Sequence, residues 1–132
     1  HRALFGGTSF SDTPANTPSG GPAIFAHVID CPDGGLAAMS IWMLNYSTWE
    51  GQYGIYLEDL YVKEKFRGTG MGRALMENLA RMCIERGYTR FQWWVLDWNT
   101  PAIEVYKRLG ARAMDEWTVY RLTGDALRTL GS

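Results

Sequence analysis

From residue 23 to residue 62 the apolar and polar positions fall into short β-prone runs. Residues 23–29 and 36–46 are rich in branched and aromatic side chains, and Pro32-Asp33-Gly34-Gly35 between them is turn chemistry. A β-hairpin is predicted there. The next run, 53–62, contains Ile55-Tyr56-Leu57-Glu58-Asp59-Leu60-Tyr61-Val62, apolar on both faces apart from two adjacent carboxylates. Such a run belongs at the centre of a sheet. After a loop over 63–70 the period changes. Met71, Ala74, Leu75, Leu79, Met82 and Cys83 recur at helical spacing, Glu77 and Arg81 form an i, i+4 pair, and Gly87 supplies the stop. Residues 90–97 predict another strand, and 101–109 a short helix with Pro101 at its first position and Gly110 closing it. A last strand over 117–122 and a terminal helical turn over 125–130 complete the chain. At the other end, Ala3-Leu4-Phe5 reads as a short helical remnant, and Gly6-Gly7 opens a Ser-, Thr-, Pro- and Gly-rich run to residue 22 that predicts a loop or mobile arm. The order is hairpin, strand, helix, strand, helix, strand. It gives an α/β fold in which one mixed central sheet carries antiparallel and parallel pairs, with helices flanking it.

Length changes this picture little: 132 residues make one domain, here 23–132, preceded by the remnant and loop of 1–22. Charge narrows the partners. Thirteen Lys and Arg against fourteen Asp and Glu leave a net charge of −1, so no global field draws the chain to nucleic acid or to anionic lipid, and any basic site is local. No segment approaches the roughly 18 apolar residues of a membrane span, and no apolar leader opens the chain. A cytoplasmic protein with no membrane partner is expected. Cys31 beside a turn and Cys83 in a helical pattern lack metal-ligand spacing, so two free thiols and no metal are expected. The first residue is His1 rather than a methionine, so the expectation is that residues upstream were trimmed or that the sequence as given starts inside a longer chain.

The chemistry concentrates at Arg67-Gly68-Thr69-Gly70-Met71-Gly72, between the central strand and the first turn of the longest helix. Glycines let backbone amides approach an anion, and the helix N-terminus adds partial positive charge, so a pyrophosphate fits. Lys63, Lys65, Arg67 and Arg73 flank the loop and could add full charges. The competing reading is a turn whose glycines only allow strand and helix to pack closely. Two familiar phosphate loops fail on spacing: a dinucleotide fingerprint needs glycine where Arg73 stands, and a P-loop needs Gly-Lys followed by Ser or Thr. ATP and NAD are therefore not expected. Farther on, Asn99 or Thr100 could cap the helix over 101–109, and an amide side chain there could equally bind a ligand amide. Tyr106 lies near that helix's second turn, where its hydroxyl can reach a site or its ring can fill the core.

Together, Leu57-Glu58-Asp59-Leu60-Tyr61-Val62, the loop 67–72, and Trp98-Asn99 through Tyr106-Lys107-Arg108-Leu109-Gly110-Ala111 resemble the GNAT superfamily of N-acetyltransferases, most closely its diamine (spermidine/spermine) and thialysine acetyltransferases. The resemblance covers about residues 23–122. It implies acetyl-CoA as donor, with backbone bonds from Leu60, Tyr61 and Val62 to the pantetheine and acetyl carbonyl. Arg67, Gly68, Thr69, Gly70, Met71, Gly72 and Arg73 would hold the pyrophosphate, and Asn99, Thr100, Pro101 and Ala102 would touch the cofactor arm. Tyr106 would protonate the departing thiolate, and a homodimer is implied. The family also opens with a strand and one or two helices that shape the amine pocket; here they are expected to be missing or truncated.

An alkylammonium cannot attack a thioester until it loses a proton, so a base is needed. Glu58 is the candidate, and it could also hold the cationic amine. In a regular strand Asp59 points to the opposite face, which would separate the two carboxylates, although it too is a candidate substrate contact. Asp115 and Glu116 stand where the subfamily places a substrate-contacting acid, after a connection that looks short. The tryptophans receive no catalytic role. The expected activity is acetyl transfer from acetyl-CoA to a primary amine of a small cation, a polyamine or lysine analogue, by direct attack. The alternative is a non-catalytic acyl-CoA-binding regulatory module.

Overall fold

The computed structural model describes residues 24–132 together with the strand Ala3–Leu4. The loop expected up to residue 22, and Phe5 of the expected helical remnant, lie outside the described residues. The chain divides into two units between Trp94 and Val95.

In the first unit β1 (Ala3–Leu4), β2 (Phe25–Asp30), β3 (Leu36–Ser47), β4 (Gln52–Val62) and β5 (Phe91–Trp93) form one sheet in the order β1-β2-β3-β4-β5. The turn after β2 closes through the Gly34 amide donating to the Cys31 carbonyl at 3.1 Å and the Cys31 amide donating to the Gly35 carbonyl at 2.9 Å. From β1 to β4 each strand runs antiparallel to the next, and β5 joins β4 in parallel after the crossover helix α1 (Met71–Arg86). The expected hairpin, central strand and long helix are all present.

β4 is not regular. Ile41 on β3 faces Asp59, while Trp42 faces Leu57, so Glu58 is an extra residue in the ladder, a β-bulge. The bulge shifts the strand's period by one. Leu57 pairs with Trp42, whose ring stacks on Phe25 at 4.6 Å and lies 5.5 Å from His27, and His27 reaches Asn78 of α1. Leu57 therefore faces the helix. Beyond the bulge Leu60 and Val62 face it too, packing with Phe66 and Met71 against Ile29, Cys31, Ala37, Ala38 and Leu75. Glu58 and Asp59, opposite Ile41, are both turned to the other face. This corrects the expectation of opposed carboxylates, which holds only for a strand without a bulge.

α1 buries Leu75, Met76, Leu79 and Cys83 on the sheet. Trp42, 1% exposed, is the largest side chain of that interior. His27, 4% exposed, accepts a hydrogen bond at Nδ1 from the Asn78 amide nitrogen at 3.0 Å. Burial chiefly, then the charge of Arg86, lowers its pKa to about 4. The ring is neutral in the folded protein. Cys31 and Cys83 are buried free thiols.

In the second unit α2 (Thr100–Arg108) and α3 (Gly124–Leu130) match expectation closely. Three expected elements differ. The strand over 90–97 shrinks to Phe91–Trp93, because the bulge at Glu58 re-aims the edge of β4 just where a longer β5 would continue to pair. Residues 117–122 have strand composition but form no strand, since among the described residues they have no ladder partner, and a lone strand is not stable. Ala3–Leu4 is extended rather than helical, paired with Ile29 and Val28: an available sheet edge outweighs weak local propensity.

Two outcomes follow from this packing. The unfolded chain binds a proton at residue 27 below about pH 6.5 and the folded chain does so only near pH 4, so stability is expected to fall by roughly 2–3 kcal/mol as pH drops across that window. Urea midpoints at pH 7.5 and 4.5 check this, and His27→Gln, which keeps an acceptor for Asn78, should flatten the difference. A Cβ added at Gly54 would sit 2.7 Å from both the Arg90 carbonyl oxygen and its Cγ, and 3.0 Å from Asn45 Oδ1. Gly54→Ala should therefore cost about 1–3 kcal/mol by urea denaturation, because backbone cannot move aside cheaply.

Candidate active site

The strand-to-helix loop is built around a helix start with no internal acceptor. β4 ends at Val62, a 3₁₀ turn covers Glu64–Phe66, and Gly70 is the N-cap of α1, with φ of 92° and no side chain to bond the first amides. The first helical bond runs from the Ala74 amide to the Gly70 carbonyl at 2.9 Å. The amides of Met71, Gly72 and Arg73 therefore have no carbonyl to reach inside the helix. Helices usually meet this need with Ser, Thr, Asp or Asn at the cap. Here no acidic residue stands in the first turn either. The arrangement leaves donors and positive partial charge for an external anion.

The packing alternative finds little support at these glycines. A Cβ at Gly68 or Gly70 would meet nothing within 4 Å, and one at Gly72 would touch Val62 and Leu60 at 3.7 and 3.8 Å, an ordinary contact. Left-handed φ, not close approach, requires glycine at 68 and 70. The flanking cations are partly engaged. Arg67 Nε donates to the Val62 carbonyl at 3.0 Å, and its guanidinium lies 6.0 Å from the Tyr61 ring centroid. Lys65 lies over the Phe66 ring, and the Thr69 hydroxyl donates to the Phe66 carbonyl. Arg73 pairs with Glu77 at 2.9 Å on the exposed helix surface. Such a pair is weak enough to yield to a phosphate.

Beside this loop the ladder between β4 and β5 stops at Leu57–Trp93, while β4 continues to Val62. Among the described residues no strand pairs that edge beyond the bulge. Leu60, Tyr61 and Val62 thus lie on a stretch of backbone with sheet-bonding capacity on one side. On the face away from α1, Glu58 and Asp59 are exposed. Tyr56 precedes them there, its phenol pKa raised by burial and then by the charge of Glu58.

In the second unit Asn99 caps α2: its Oδ1 accepts from the Ala102 amide at 3.4 Å, with Thr100, Pro101 and Ala102 forming the first turn. Capping is therefore one of its roles. Tyr106 is half-buried and burial raises its pKa, so its hydroxyl is protonated at neutral pH and suits a proton donor. Glu116 is exposed in irregular chain before α3. Among the described residues no group of three or more His, Cys, Asp and Glu could hold a metal, and no helix is long and apolar enough to cross a membrane. Sequence reasoning overlooked the bulge and the pairing of Tyr56 with Trp94. The first was legible: Ile55 and Leu57 fall on odd positions, Leu60 and Val62 on even ones, with two carboxylates at the change of phase.

Comparison with known proteins agrees with this geometry. Residues 19–111 match the model of the acetyltransferase (GNAT) family. A thialysine N-epsilon-acetyltransferase of Sus scrofa is 40% identical over 98 residues, which cover 72% of this chain and 57% of that protein. The L-ornithine N5-acetyltransferase NATA1 of Arabidopsis thaliana is 31% identical over 131 residues, covering 88% of this chain and 58% of its own length. The chain thus spans little more than half of these relatives. An integron cassette protein from the mobile metagenome of V. cholerae superposes with a TM-score of 0.76 at 25% identity, over 83% of this chain and 67% of that one. The α/β sheet with its flanking helices, the glycine-capped helix start and the match over 19–111 lead to one conclusion: the chain belongs to the GNAT family of acetyltransferases.

Proposed function

We propose that the protein transfers an acetyl group from acetyl-CoA to the primary amine of a small cationic molecule, a polyamine or a lysine-like amino acid. The observation that carries this reading is the start of α1, where amides without helical acceptors and without a side-chain cap lie next to an edge of a bulged strand that has no strand partner among the described residues. Relatives named for thialysine and ornithine, at 31–40% identity, support the choice of acceptor. The alternative of a non-catalytic acyl-CoA-binding module is not favoured beside them.

Acetyl-CoA supplies the thioester that is cleaved. The loop from Arg67 to Gly70 and the amides of Met71, Gly72 and Arg73 hold its diphosphate, with Arg73 turning from Glu77 to add charge. Backbone groups of Leu60, Tyr61 and Val62 bond the pantetheine and the acetyl carbonyl, polarising the carbon under attack. Asn99, Thr100, Pro101 and Ala102 touch the same arm. Glu58 takes a proton from the ammonium, directly or through one water, and Asp59 and Glu116 contact the substrate's remaining positive charge. The freed amine forms a bond to the acetyl carbon, the carbon–sulfur bond breaks, Tyr106 gives its phenolic proton to the departing sulfur, and the second proton of the nitrogen passes to the resulting phenolate, directly or through water. In the same reading the protein is a homodimer, on family resemblance, and works in the cytoplasm, a compartment compatible with its two unpaired thiols.

A thiol-release assay with acetyl-CoA and thialysine, ornithine or spermidine tests the activity. Folded protein that releases no thiol above background with any of these amines would contradict it. Tyr106→Phe should lower kcat roughly 100-fold or more while leaving the KM for acetyl-CoA within about twofold. Arg73→Glu should raise that KM at least about tenfold by placing a negative charge beside the diphosphate. Its melting temperature should hardly move, because an acid in the first turn of a helix offsets the lost pair with Glu77.

A further inference from the structure

The sheet face away from α1 carries a second constellation beside the carboxylates. Gln92 on β5 is the ladder partner of Tyr56, so the two share that face, and Trp94, two residues on, returns to it. The rings of Tyr56 and Trp94 meet edge to face, with centroids 5.6 Å apart and planes at 70°. Trp94 is 60% exposed. A core role would hide it. The Asn45 side-chain amide donates to Gln92 Oε1 at 3.1 Å and braces the start of this strip across β4. At its other end stand Glu58 and Asp59.

Each part points to one ligand chemistry. An aromatic face carries negative electrostatic potential and attracts an ammonium, the more so beside a carboxylate. Glu58 is close enough to Tyr56 to act on its phenol. Among the described residues, the cations that lie over aromatic rings are Lys65 on Phe66, Arg67 on Tyr61 and Arg86 on Tyr88. None of these three lies over Tyr56 or Trp94. An edge-to-face pair also fixes the indole without hiding it, so little side-chain entropy remains to be lost on binding.

We infer that Tyr56 and Trp94 form an aromatic wall that selects an alkylammonium acceptor, Trp94 offering its ring to the cation and to the methylene chain while Glu58 supplies the opposite charge. This inference rests on the acetyl-transfer reading and adds to it the residues that set acceptor specificity. Trp94 is a specificity-determining residue in this assignment, with no part in proton transfer. Its substitution should move the KM for the amine and leave kcat and the affinity for CoA nearly unchanged.

The test compares Trp94→Phe and Trp94→Leu with the parent chain, using 1,4-diaminobutane and ornithine as probes. Both variants should fold, since the position is largely exposed, and circular dichroism checks that. Trp94→Leu keeps apolar bulk but no ring face, and should weaken calorimetric binding of the diamine and raise the amine KM by roughly three- to thirtyfold. Trp94→Phe should change either by less than about threefold. Equal losses in both variants, no loss in either, or no diamine binding by the parent with or without CoA would overturn the wall. The calorimetric arm needs no turnover. If the parent binds diamine through Trp94 but releases no thiol with any amine, the acetyl-transfer reading fails while the wall is upheld.

Discussion

The amides of Met71, Gly72 and Arg73 need acceptors that neither α1 nor a side chain at its N-cap provides. A side-chain cap at residue 70 would have satisfied part of that need and stabilised α1 by about 1 kcal/mol. Glycine there forgoes the cap, and its left-handed φ of 92° sets the direction from which the loop enters the helix. A helix start of this kind is a cost to the free protein and an opportunity for an anion. The remaining features are arranged around it. β4 delivers the chain to the loop, the Leu60 and Val62 side chains seat the first turn of α1, and Arg73 projects from that turn on the solvent side.

The extra residue at Glu58 links the helix start to the rest of the sheet. Without it, Leu60 and Val62 would turn away from α1 and the helix would lose its footing. With it, two carboxylates share the opposite face with Tyr56, and the edge of β4 parts from β5. One inserted residue thus supports the packing of the helix, leaves a length of backbone without a strand partner among the described residues, and gathers negative charge on a single face. The core pays no penalty for those charges, since both carboxylates stay exposed.

Local signals in the sequence were reliable guides and long-range ones were not. The hairpin, α1 and α2 could be placed because turn residues, helical spacing, Pro101 and the closing glycines act within a few positions. Residues 117–122 form no strand and 90–97 only the three-residue Phe91–Trp93, although both have strand composition, because composition says nothing about whether an edge is available to pair with. Ala3–Leu4 erred the other way, with an edge of β2 capturing a segment of weak helical leaning. At the site, the glycine loop was legible from its residue types alone. The common face of Glu58 and Asp59 was not, because regular alternation was assumed across a bulge that the change of apolar phase already encoded. The pairing of Tyr56 with Trp94 depends on the register between parallel strands joined by a sixteen-residue helix, and no local pattern specifies that register.

The most direct measurement is the backbone amide spectrum of isotopically labelled protein recorded while CoA is added. Hydrogen bonds from Met71, Gly72 and Arg73 to the diphosphate should carry those three proton resonances downfield, and all three should saturate at a common midpoint. Saturable binding of CoA that shifts amides elsewhere and leaves these three in place would contradict the account.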